Sequence, residues 1–267
     1  MKEVKIIVCV KQIPDPEAPS EVVRIDSERK KVTLIGPPPN VISPFDENAI
    51  EAALQIKDEN GAEVTVLSIG EKISPSVLRK GLAVGADNLI LVEDQNFEDL
   101  ESYSIAYVLA NAIEKIGDYD LILTGRQAGD WDSGQVGLIL GEMLGIVTVN
   151  LARRVRIEDG KLVVEKIMPG GFELINAEMP ALVTVSNEVG ELRYPSMKNI
   201  LLSRRQPIDV WDAESIDIEF EKLNKREIVE LIPPPDIRRQ CQFIEGDSGE
   251  EKGEKLAITL KKAILNS

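Results

Sequence analysis

Between Asp120 and Ile146 the chain passes from a strand through a polar turn into a helix, and that order dictates a class of fold. Leu121 to Thr124 is the strand. The helix shows Val136, Ile139, Leu140, Met143 and Leu144 at the spacing of one buried stripe. Ser133 stands where an N-cap is wanted, with Asp130 and Asp132 in the turn just before it. The first turn of such a helix carries unpaired N–H groups and the positive end of the helix dipole, a setting that suits phosphate. Gly129, Gly134 and Gly137 let a ligand approach the backbone. The segment reads as a nucleotide-binding turn.

The same strand-then-helix rhythm begins at the N-terminus. Val4 to Val10 is a continuous apolar run, as expected of a parallel strand covered on both faces. Val22 to Ile25 can face Val32 to Leu34 in a short hairpin, followed by the stiff connector Pro37-Pro38-Pro39. Ser43 caps the first long helix, Pro44 takes its first position, and Asp46 falls where a capping box wants an acid. Ala49, Ile50, Ala53 and Leu54 form its inner stripe. Strands at Glu63–Ile69 and Leu89–Val92 alternate with helices at Ser74–Val84 and Ser102–Ile116. Such repeats predict a doubly wound, mostly parallel α/β sheet with right-handed crossovers and a ligand at the carboxyl ends of its strands.

After Ile146 the pattern changes. Arg153–Ile157 and Leu162–Ile167 flank the turn Glu158-Asp159-Gly160, which predicts a small antiparallel addition, and Phe172–Asn176 and Ala181–Val185 are further strand-like pieces around Pro180. From Arg193 the chain is irregular. Glu214 to Ser248, with Pro233-Pro234-Pro235, offers little that could build a core and reads as an extended arm lying on a partner subunit. Glu250–Leu265 returns to helix. The expected division is an α/β domain over residues 1–205 and an arm with its helix over 206–267.

The sequence also excludes. A net charge of −15 removes the basic face that nucleic acid demands. Histidine is absent, so a Ser-His-Asp triad, a Cys-His pair and a histidine zinc site are impossible. Redox chemistry would have to belong to a bound cofactor. No side chain is expected to be catalytic. No apolar run is long enough to span a membrane, and the N-terminus enters a strand without a signal-peptide pattern. With Cys9 and Cys241 as its two cysteines, the chain is expected to be a soluble, cytoplasmic protein.

Five motifs in register resemble the beta subunit of electron transfer flavoprotein. They are V-C-V-K-Q-I-P-D at Val8, S-P-F-D-E-N-A-I-E-A-A at Ser43, G-L-A-V-G-A-D at Gly81, G-R-Q-A-G-D-W-D-S-G-Q-V-G at Gly125, and V-E-K-I-M-P-G-G-F-E-L-I-N-A-E-M-P-A-L-V-T at Val164. The likeness spans about Lys5 to Arg205. It implies an adenine-nucleotide alpha-hydrolase-like fold and a heterodimer with an alpha subunit that carries FAD. It further implies a nucleotide in this subunit, AMP in the housekeeping type or a second FAD that reacts with NADH in the bifurcating type. Carried over by residue, Cys9 and Lys11 meet the adenine side, Ser43, Pro44, Phe45 and Asp46 cover base and ribose, and Ile69 lies beside them. Arg126, Asp130, Asp132, Ser133, Gly134, Gln135, Val136 and Gly137 surround the phosphates. R-Y-P-S-M-K-N-I-L resembles the family's recognition loop, with Tyr194 and Met197 facing a flavoprotein dehydrogenase of the acyl-CoA type.

Two departures bear on the nucleotide. Val136 stands where AMP-binding members carry a Thr whose hydroxyl meets the phosphate, and a valine side chain donates no hydrogen bond. Pro169 stands where the signature usually has an acid. Q-V-G and the opening V-K-Q-I-P-D resemble the bifurcating members, whereas Phe97-Glu98-Asp99-Leu100-Glu101-Ser102 keeps an acid and a hydroxyl of those members' loop but lacks both its glycines. The balance favours FAD over AMP. Two other readings compete: an ATP pyrophosphatase-type adenylating enzyme, whose loop however follows the first strand, and a stand-alone universal-stress-like nucleotide module, which would lack the arm.

Overall fold

Apolar runs without polar alternation become the middle of a sheet covered on both faces, and the computed structural model builds them so. It describes residues 3–19, 23–28, 30–36, 38–223, 226, 228–232 and 241–265. Val22, Pro37 and Pro233–Pro235 lie outside these. In chain order come β1 (Val4–Cys9), β2 (Gln12–Pro14), β3 (Val23–Asp26), β4 (Lys31–Leu34), β5 (Asn40–Ile42) and α1 (Pro44–Asn60). Next are β6 (Ala62–Gly70), α2 (Pro75–Val84), β7 (Asn88–Glu93), α3 (Ser102–Ile116), β8 (Leu121–Gly125) and α4 (Val136–Leu144). Then follow β9 (Val147–Glu158), β10 (Lys161–Met168), β11 (Gly171–Ala177), β12 (Ala181–Val185), α5 (Met197–Ser203), β13 (Asp209–Trp211) and α6 (Gly249–Leu265).

Among the described residues the main sheet has nine strands in the order β11-β10-β9-β12-β8-β1-β6-β7-β13. From β1 the chain steps outward through β6 and β7, then returns to place β8 on the other flank of β1, in parallel register Ile6 with Leu121. That reversal makes the β1/β8 junction the topological switch point, where α/β sheets bind ligands. Residues α1 and α2 bury join Val8, Val66 and Leu123 in one core layer, while α3 and α4 meet Ile7, Leu67 and Ile122 in the other.

The antiparallel addition continues the same sheet. β9 pairs in parallel with β12 and antiparallel with β10. Its hairpin closes through Asp159 and Gly160, both left-handed at φ 51 and φ 76, the two-residue turn whose twist matches the strands.

Three local expectations are corrected. Ser133 is not the cap of α4: Asp132 (φ 51) and Gly134 (φ 62) keep the chain out of the helical region, and Gln135 precedes the first helical residue. Ser43 does occupy the N-cap of α1 with Pro44 after it, yet its side chain makes no cap bond and Asp46 closes no capping box. Both side chains are drawn into tertiary contacts described below. Third, the start of the stretch expected to be an arm, residues 209–218, does contribute to the sheet and to a core. β13 adds an edge strand beside β7, and Ala213, Ile216 and Ile218 are buried in the α3/α4 layer.

Residues 1–230 form one compact unit and residues 231–267 a second. Within the second, α6 leaves Leu256, Ile258, Leu260, Ile264 and Leu265 exposed. Among the described residues no helix is long and apolar enough to cross a membrane.

Candidate functional site

At the switch point three chain segments separated widely in sequence are tied together by polar contacts. The Lys11 N–H donates to Asp46 Oδ2 at 2.7 Å, and the Gly125 N–H donates to Asp46 Oδ1 at 3.1 Å. Lys11 Nζ donates to Asp130 Oδ2 at 2.6 Å, while its carbonyl accepts the Ser43 N–H at 2.9 Å. Ser43 Oγ accepts the Gly129 N–H at 3.2 Å. The end of β1, the start of α1 and the turn after β8 are thus laced into one cradle. Gly125 is required here: a Cβ would lie 2.5 Å from Asp46 Oδ1 and 2.8 Å from the Phe45 backbone.

Burial dominates the electrostatics of the cradle floor. It pushes the Asp46 carboxyl up to about 7, against the two N–H donors and the Lys11 charge, which pull it down, and with Asp130, which adds to the rise. Burial first, and the Asp46 charge second, push the Cys9 thiol far up, so it stays protonated.

The turn itself is braced from within. Asp132 Oδ1 accepts from Gln127 Nε2 at 2.7 Å, and the Ser102 hydroxyl at the start of α3 donates to Ser133 Oγ at 3.3 Å. The Arg126 guanidinium stacks 4.9 Å from the Phe45 ring centroid, and its buried Nε has no hydrogen-bond partner. Beside it opens a cavity of about 330 Å³ whose lining includes Arg126, Gln127, Gly134, Asn150, Leu151 and Thr184. Leu151 is left-handed at φ 56 in a bulge of β9, where its N–H donates to Thr184 Oγ1 at 3.0 Å. Arg126 lines this cavity together with Gly134 and Leu138, where the first-turn amides of α4 begin, while the Lys11 ammonium is paired with Asp130.

Of the expected residues, Cys9, Lys11, Ser43, Pro44, Phe45, Asp46, Arg126 and Asp130 come together at this junction. Asp132, Ser133 and Gly134 lie in the braced turn, with Gln135, Val136 and Gly137 leading into α4. Ile69 sits near the end of β6, packed against the α3/α4 layer. Tyr194 and Met197 stand apart, 96% and 74% exposed. Their segment is rooted by Arg193, which donates to Glu51 and Asp58 of α1, with Nη2 to Glu51 Oε1 at 2.8 Å. Sequence reasoning did not single out Arg193, Asn150, Leu151 or Thr184. The irregular chain around Arg193 carried no periodic signal, and a bulge leaves none.

The strand order and its switch point are those of the doubly wound α/β proteins that bind ligands at this place. The model of the electron transfer flavoprotein domain matches residues 37–216. The chain belongs to the electron transfer flavoprotein family. Among its relatives, the CarD subunit of a caffeyl-CoA reductase–Etf complex from Acetobacterium woodii is 37% identical over 263 residues, covering 97% of this chain and 98% of that one. An electron transfer flavoprotein subunit beta from Thermoanaerobacterium thermosaccharolyticum is 37% identical over 219 residues, 82% of each. A FixA protein from Sinorhizobium fredii is 34% identical over 271 residues, 97% of this chain and 93% of its own. Electron transfer is accordingly the role of this chain, as a beta-type member of the family.

Proposed function

We propose that this chain holds FAD in the cradle at the β1/β8 switch point and pairs with an alpha-type subunit to make a two-subunit electron carrier. The observation that carries the reading is the cradle itself: Arg126, its buried Nε without a partner, lines a cavity with Gly134 and Leu138 at the start of α4, and Lys11 is paired with Asp130 at the same junction. A bound flavin would supply the electron-transfer chemistry that this histidine-free chain does not provide. The protein's own residues bind and orient. Lys11, Arg126 and the α4 amides face the phosphates, Phe45 backs the Arg126 plane, and Ser43 holds the turn through Gly129.

FAD is favoured over AMP by charge and by one side chain. A terminal phosphate concentrates about two negative charges on one phosphorus, whereas a bridging diphosphate spreads two over a pair, so the terminal group asks for more donors at one point. Val136 brings no hydroxyl to the start of α4. The relative in a caffeyl-CoA reductase–Etf complex, alike along nearly the whole chain, supports assembly with a CoA-ester reductase, and a bifurcating type in which NADH is a further nucleotide is what the Q-V-G loop and the V-K-Q-I-P-D start resemble. Tyr194 and Met197, exposed on a segment rooted by Arg193, suit docking of a flavoprotein dehydrogenase. Cys9 and Cys241, both free thiols, support a reducing, cytoplasmic setting.

The test is to co-express the chain with its alpha-type partner, purify the complex, and count FAD by absorbance and AMP by chromatography after release. Two FAD per complex is the expected result. One FAD with one AMP would overturn the FAD assignment, and a complex with neither nucleotide in this subunit would overturn the cradle.

A further inference from the structure

We infer that Asp46 is a positioning residue of the cradle: its two carboxylate oxygens fix the Lys11 and Gly125 amides, and thereby aim Lys11 and Arg126 at the ligand. The binding part of this inference rests on the nucleotide reading above; the fixing of the two amides does not. Asp46 is 6% exposed, and each oxygen already accepts a backbone N–H, at 2.7 and 3.1 Å. It acts through the chain it holds. Each anchored amide belongs to, or directly precedes, a cation of the site: Lys11 itself, and Arg126 after Gly125. The bare Cα of Gly125 is the other half of the device, since any Cβ would occupy the place of the carboxylate.

A carboxylate is needed because both contacts are donors. An asparagine could accept one N–H, but its own NH2 would face the second. Protonation does the same, turning one accepting oxygen into an O–H. Burial first pushes the Asp46 titration up to about 7, against the Lys11 and Gly125 amides and the Lys11 ammonium, which lower it, and with the Asp130 carboxyl, which raises it; the neutral Cys9 thiol is the other titratable group facing it. Because that value lies above the ordinary 3.8 of an aspartate, the folded state favours the protonated form. This group's contribution to stability therefore rises as pH falls from about 7 toward 4, while nucleotide affinity falls over the upper part of that range. A merely structural carboxyl would not drive the two in opposite directions.

The experiment uses the two-subunit complex, wild type and Asp46→Asn, with FAD and AMP as probes at pH 8 and pH 6 and hydrogen exchange at the Lys11 and Gly125 amides. Loss of one charge-assisted bond is expected to weaken nucleotide binding roughly tenfold in D46N at pH 8. With FAD, whose diphosphate does not titrate in this range, the wild type should show a similar drop between pH 8 and 6 and the variant a flat profile, and both amides should exchange faster in the variant. Wild-type affinity and pH profile in D46N, or unchanged amide exchange, would overturn the inference. If the wild type binds neither probe, the nucleotide reading fails and the exchange data still decide on Asp46. If D46N does not fold, the wild-type pH series, corrected for intrinsic exchange, decides alone.

Discussion

The cradle and the antiparallel end of the sheet are stabilised over very different distances along the chain. In the cradle the partners lie 35, 79 and 119 residues apart, at Lys11–Asp46, Asp46–Gly125 and Lys11–Asp130. From β9 to β11 each strand pairs with its sequence neighbour, Glu158 opposite Lys161 and Met168 opposite Gly171. The first region depends on a few polar contacts that form only once the sheet exists. The second depends on alternation, turn chemistry and burial of apolar side chains, each legible locally. Damage to one should therefore read out differently from damage to the other.

The largest effect is expected in the antiparallel end. Leu162 and Val164 of β10 are fully buried, and Leu162→Ala should cost about 2–5 kcal/mol in denaturant unfolding while the folded fraction keeps its nucleotide. Nucleotide loss from folded L162A would break the comparison. Next comes Gly125→Ala, where the new Cβ meets Asp46 and Phe45. It should cost about 1–3 kcal/mol and release nucleotide from protein that is still folded; thermal melts paired with cofactor counts separate the two. Gly160→Ala, at φ 76 in the β9–β10 turn, should cost about 1 kcal/mol and leave binding unchanged. Smallest is Val136→Thr. The half-buried site gains a hydroxyl, so stability should fall by about 1 kcal/mol, while competition binding should shift toward AMP by up to about tenfold, the worth of one hydrogen bond.

The same contrast explains what could be read in advance. The Asp159-Gly160 turn, the apolar run of β1 and the inner stripe of α1 each follow from period and local chemistry, and the structure has them. Ser133 and Asp46 were misjudged for one reason. Local capping rules see only neighbours within four residues, while Ser133 meets Ser102 of α3 and Asp46 meets two strands. Left-handed Asp132 and Gly134 then delay α4 to Val136. β13 was invisible because three residues carry no period, and it gains its ladder only from the exposed edge of β7. In the cradle, residue types announced an anion site, whereas the division of labour among them needed coordinates.

Cys9 gives the site one further property. The last residue of β1 brings a sulfur up against the cradle floor, where a redox cofactor would invite thiol chemistry. Burial and the neighbouring Asp46 charge keep that thiol protonated, so it packs as a small hydrophobe and is a poor nucleophile toward oxidised cofactors or electrophiles. The acid that aims the cations also silences the sulfur, leaving the cradle chemically quiet around whatever electrons pass through it.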